Sequence, residues 1–150
     1  LLLCFVPAIL AAGSAGQPLV VKGSVYCDTC RCGFENEATK YMAGAAVRIE
    51  CREAHTSQIT YVEDGVTNSA GHYEIRVHGD RGDDVCDAVL LKSSDPECST
   101  PDAGRDRARV VLTRNNGIAS DHRFANSMGF LRNAPLAACA QVLQKYRSDE

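Results

Sequence analysis

The chain has 150 residues, 45% of them hydrophobic and 23% charged, with a formal net charge of −3. Those values describe one ordinary globular domain and exclude a collagen, a coiled coil and a disordered chain. With 16 basic against 19 acidic side chains and no long run of either sign, they also argue against nucleic acid as a partner.

A chain of this length can bury enough apolar surface to fold without covalent help, so its 8 cysteines need a separate explanation. Residues 1–12 are almost all apolar, and Gly13-Ser14-Ala15-Gly16 is the run of small residues that signal peptidase accepts. Residues 1–16 are therefore expected to be the tail of a secretory signal, cleaved after Ala15 or Gly16. Twelve apolar residues fall short of the roughly 20 that span a bilayer. The expected product is a secreted, extracellular domain over 17–150 with no membrane span. In an oxidising compartment Cys27, Cys30, Cys32, Cys51, Cys86, Cys98 and Cys139 are read first as a disulfide framework. Their odd number leaves at least one without an internal partner, and spacing alone leaves the connectivity open. Cys27-x-x-Cys30-x-Cys32 has a ligand-like spacing, but a structural zinc site needs a second close pair. A thioredoxin-type motif would need a βαβ pattern around it, and none is present.

Period-two alternation then dominates. It predicts half-buried strands over 21–27, 45–52, 58–62, 72–77, 87–92 and 107–113. Glu63-Asp64-Gly65, Asn68 to Gly71, Gly79 to Asp84 and Ser93 to Pro96 are expected turns, the third of them a solvated hairpin tip. Arg123 to Asn126 and Met128 to Leu131 are candidates for a further irregular strand. After Pro135, placed at a first helical turn, Leu136, Cys139, Ala140, Leu143 and Tyr146 form one stripe of a short amphipathic helix.

Motifs for catalysis are lacking in the sequence: no Gly-x-Ser-x-Gly, no phosphate-cradling glycine loop, no His-Glu-x-x-His. His55 and His122 fall in polar loop contexts, while His72 and His78 flank a candidate strand with His72 facing solvent. Arg81-Gly82-Asp83 reads as a solvated loop rather than an integrin-type tripeptide. The alternating run Arg105 to Arg109 reads as an exposed strand face, with a polyanion patch as the sharper alternative. No residue set points to a metal, a cofactor or a catalytic centre.

The string Gly23-Ser24-Val25-Tyr26-Cys27-Asp28-Thr29-Cys30-Arg31 resembles the signature of the Ole e I-like family of plant pollen proteins. Cys27, Cys30, Cys51, Cys86, Cys98 and Cys139 fall at separations of 3, 21, 35, 12 and 41, similar to that family's six-cysteine spacing. The stretch from Arg105 to Ile118 looks most like the grass-type members. The resemblance implies three disulfides, Cys27 with Cys98, Cys30 with Cys139 and Cys51 with Cys86. Cys32 has no counterpart in it and is left as a free or intermolecular thiol. Thr67 to Ile75 is also similar to the turn-and-strand element of transthyretin-like domains, in which Tyr73, Ile75 and Val77 would point inward. Together these imply an all-β fold, an antiparallel β-sandwich or barrel of about seven short strands (transthyretin-like or Ig-like) with a short C-terminal helix. The implied function is that of a secreted, non-enzymatic recognition or signalling protein of pollen hydration, germination or tube growth, and a potential allergen. Its expected partner is a receptor ectodomain or a cell-wall component. The alternative is a structural wall or polysaccharide-binding protein, for which nine Phe and Tyr and no Trp offer little aromatic material.

Overall fold

The computed structural model describes residues 18–114 and 117–147, so the expected signal lies outside the described residues. The elements in chain order are β1 (Leu19–Asp28), β2 (Lys40–Tyr41), β3 (Ala46–Arg52), β4 (Ile59–Val66), β5 (His72–Val77), β6 (Val85–Lys92), β7 (Thr100–Pro101), β8 (Arg107–Val110), β9 (His122–Phe124), β10 (Met128–Leu131) and α1 (Cys139–Arg147). They form two sheets. One has the order β4-β3-β6-β8 and is antiparallel throughout. The other is built around β1, whose first half lies between antiparallel β5 and parallel β9. Its second half lies between antiparallel β2 and parallel β10, and β7 pairs beyond β10. The β-sandwich expected from the sequence is present, with parallel pairs at β9 and β10 that the alternation did not indicate.

Alternation builds the core directly. Val47, Ile49 and Cys51 of β3, Tyr73, Ile75 and Val77 of β5, and Cys86, Ala88 and Leu90 of β6 all face inward and are buried. Three local readings are corrected. Glu63-Asp64-Gly65 is part of β4 rather than a turn: Asp64 pairs with Arg48 across the ladder at 2.7 Å, and the Ile75 side chain covers Gly65. The loop after β5 is not a hairpin tip, because β5 and β6 belong to different sheets and residues 78–84 cross between them. The helix begins at Cys139, so Pro135 stands before it, and its buried side chains are Cys139 and Val142, with Ala140 exposed.

The barrel is not closed. The seam between β8 and β9 carries no ladder pairing; the buried side chain of Arg123, 4% exposed, bridges it instead. Its guanidinium donates to the carbonyls of Val111 (3.1 Å), Thr113 (3.0 Å), His122 (3.0 Å) and Ser120. Four carbonyl dipoles thus solvate a buried cation with its flat fork of donors.

Three disulfides complete the frame. Cys51 and Cys86 are ladder partners joining β3 to β6. Cys27–Cys98 ties β1 to the loop after β6, and Cys30–Cys139 ties the loop after β1 to α1.

On the outer face of the β4-β3-β6-β8 sheet, charges form a chain. Arg52 meets Glu50 at 2.7 Å, Glu50 meets Arg107 at 3.2 Å, and Arg107 and Arg109 share Asp87 at 3.2 and 2.8 Å. Burial pushes the Glu50 carboxyl upward, but hydrogen bonds from Arg52 and Arg107 outweigh it and hold the carboxyl below its ordinary value. A carboxylate depressed in the folded state contributes stability above its unfolded pKa of 4.5, and that contribution is lost as pH falls through the lower folded value. Equilibrium unfolding of Glu50→Gln between pH 7 and pH 3 should therefore show a shallower loss of stability in acid than the parent. An unchanged slope would remove Glu50 from the linkage.

Candidate recognition surface

The family-type signature on β1 is spent on the scaffold. Gly23 lies opposite Tyr73 in the ladder, and the Tyr73 ring lies over it so closely that a methyl group there would overlap the hydroxyl. Val25 is fully buried in the core. Tyr26 covers Gly129 of β10 in the same way and accepts a hydrogen bond from Arg105. Asp28 is buried and accepts from the backbone N–H groups of Cys32 (3.0 Å) and Gly33 (2.8 Å), an arrangement that shapes the loop leaving β1. Arg31 takes a positive φ of 54° and donates to the Arg132 carbonyl at 2.8 Å. Cys27 and Cys30 are bridged.

Cys32 is a free, half-buried thiol. Burial and the neighbouring Asp28 carboxylate push its pKa upward, against a smaller pull from Asn36. Less thiolate means a weaker nucleophile at neutral pH.

The other conspicuous strings are also tied down. Arg81 stacks over the Tyr61 ring, 4.4 Å from its centroid, and donates to the His78 carbonyl at 3.0 Å. Arg105 reaches Tyr26, while Arg107 and Arg109 are paired with Glu50 and Asp87. The polyanion patch is therefore largely neutralised by its own sheet. Among the described residues no group of His, Cys, Asp and Glu could hold a metal ion, and no helix is long and apolar enough to cross a membrane.

The face made by β5, β1 and β9 is also presented outward. Phe124, Lys22 and Glu74 lie in one cross-strand row, and Ser24 and His72 form the next. Lys22 and Glu74 pair at 3.4 Å. Ser24 Oγ and His72 Nδ1 are hydrogen-bonded at 2.8 Å, and the His72 ring stacks on Tyr41 with centroids 6.4 Å apart. Phe124 is 77% exposed and Tyr41 49%. His122, expected in a loop, opens β9 on the same face. A hollow of about 480 Å³ lies here. Its lining includes Gly23 and Tyr73, whose buried hydroxyl has no hydrogen-bond partner among the described residues and is pushed up to about 12 by burial. The composition suggests too little aromatic material for a surface platform. Folding leaves both Phe124 and Tyr41 exposed, Phe124 in the lining of this hollow and Tyr41 outside it, stacked on His72.

Comparison with known proteins fits this architecture. Residues 17–147 match the family model described as "Pollen protein Ole e 1 like". The chain is 46% identical over 147 residues to "Protein DOWNSTREAM OF FLC" of Arabidopsis thaliana, covering 98% of this chain and 90% of that protein. It is 42% identical to "Pollen-specific protein C13" of Zea mays, covering 100% and 89%, and 41% identical to "Pollen allergen Phl p 11" of the grass Phleum pratense, covering 87% and 92%. The crystal structure of the major plantain pollen allergen Pla l 1 superposes with a TM-score of 0.73 at 30% identity, covering 82% of this chain and all of that one. On its sequence, its three bridges and its sandwich, the chain belongs to the Ole e 1-like family of pollen proteins.

Proposed function

We propose that this chain is exported and acts outside the cell as a non-enzymatic recognition protein of pollen, in hydration, germination or tube growth, and that it is a potential allergen. The observation that carries the reading is the division of labour on β1. All the signature residues but Ser24 face into the scaffold or shape its loops, while the surface they hold up is a rigid sheet face lined by side chains suited to contact. A disulfide-held frame keeps such a face preorganised, which lowers the entropy lost on binding. The three bridges fit an oxidising compartment.

The partner in this reading is a receptor ectodomain or a wall component. Refolded, disulfide-intact protein immobilised against pollen-tube membrane ectodomains and wall fractions should capture a partner, and reduced, alkylated protein should not. Uniform absence of capture by the intact protein would overturn the proposal, as would turnover of a substrate by it.

A further inference from the structure

We propose that the hollow on the β5-β1-β9 face is a binding site for an uncharged oligosaccharide, a stretch of neutral wall polysaccharide. The inference rests on the reading of the chain as an extracellular recognition protein, and deepens it.

A sugar ring has two kinds of surface: an apolar C–H face, and an edge of hydroxyls each able to donate and accept. The hollow presents counterparts to both. Phe124 in its lining exposes a flat ring, and the His72 imidazole, also in the lining, is stacked on the Tyr41 ring that lies outside it. A large aromatic side chain left mostly in water on a rigid sheet marks a place where something apolar is covered. Between the rings are short polar side chains. Ser24 and His72 are already oriented by their mutual hydrogen bond. The Asn68 carboxamide oxygen accepts from the Ala70 and His72 N–H groups, which leaves its amide N–H groups as the donors it can offer. Preformed geometry of this sort with a few convergent polar groups is what small-ligand sites share.

A further observation selects the ligand class. The charges at the hollow are internally matched, Lys22 against Glu74, so a polyanion would have to compete with Glu74 for Lys22. An uncharged chain leaves that pair intact.

The test uses the full, disulfide-intact protein and an array of uncharged β-glucan, xylan, galactan and arabinan oligosaccharides beside oligogalacturonates, followed by titration calorimetry on any hit. The expected result is binding to at least one uncharged class, weakened tenfold or more by Phe124→Ala with the unfolding midpoint unchanged because that ring is 77% exposed, and weakened by Tyr41→Ala through loss of the ring that backs His72. Amide shifts on titration should centre on Lys22, Ser24, His72 and Glu74, and Arg109→Ala on the opposite sheet should bind as the parent does. Absence of binding to every uncharged class overturns the inference, as does binding confined to oligogalacturonates or binding indifferent to both aromatic variants. The same preparations are passed over the pollen-tube ectodomains. Ectodomain capture without glycan binding removes this site alone, whereas failure of both removes the recognition reading as well.

Discussion

Arg123→Met should lower unfolding stability by about 3 kcal/mol or more, a drop of roughly 10 °C in midpoint for a chain of this size. The guanidinium serves four backbone carbonyls at the unpaired seam between β8 and β9, and methionine matches its bulk while removing every donor. Hydrogen bonds to a charged group contribute about 1.5 to 3 kcal/mol each before the non-additivity of a shared donor set is counted. Arg123→Lys is the sharper comparison. It keeps the charge but offers one compact ammonium in place of a planar fork, so it should recover only part of the loss. Chemical denaturation of the two variants measures this; a loss below about 1 kcal/mol for methionine would mean that the seam is held by something else.

Removing the Cys27–Cys98 bridge as Cys27→Ala/Cys98→Ala should cost about 4 kcal/mol of global stability, the chain-entropy value for closing a 71-residue loop. Both half-cystines are buried against the core, and Cys98 fixes a loop otherwise held by contacts such as Ser93 Oγ donating to the Cys98 carbonyl at 2.7 Å. Cys30→Ala/Cys139→Ala opens the longer loop, 109 residues apart, and the same model assigns it the larger cost. The expected result is the reverse order. Helix α1 has nine residues, too few to persist alone, and buries only Cys139 and Val142. It can therefore detach while the sandwich survives. Hydrogen exchange should show α1 amides losing protection in that double variant while β3 and β6 keep theirs, with a smaller drop in global midpoint than the Cys27–Cys98 variant gives. Loss of protection across both sheets at once would contradict this order.

Legibility in the sequence followed burial. Strand β5 reads exposed, buried, exposed along its whole length, so its inward residues follow from the alternation alone. The six-cysteine spacing was specific enough to carry the family. The rest was set by partners that a local pattern does not contain. Strands β2 and β7 are two residues long and exist because β1 and β10 supply their hydrogen bonds. Turn chemistry at Glu63-Asp64-Gly65 yielded to a cross-strand Arg48–Asp64 pair and a covering Ile75. Pro135 drew the helix start too early, and the stripe drawn from it missed Val142. Phe124 and Arg123 were the largest omissions. In a three-residue strand, alternation cannot say which residue faces in, and here the arginine is buried while the phenylalanine is not.

That the signature on β1 points into the scaffold or its loops has a consequence for how relatives are told apart. The residues that make a chain recognisable as a member of this family are largely hidden from any molecule that meets it, whether receptor, polysaccharide or antibody. Antibody cross-reaction between two relatives should therefore follow likeness at outward positions such as Phe124, Tyr41, Arg107 and Arg109, rather than percentage identity along the whole chain. Two members with the same bridges and the same β1 string can be immunological strangers, and two with modest overall identity can share an epitope.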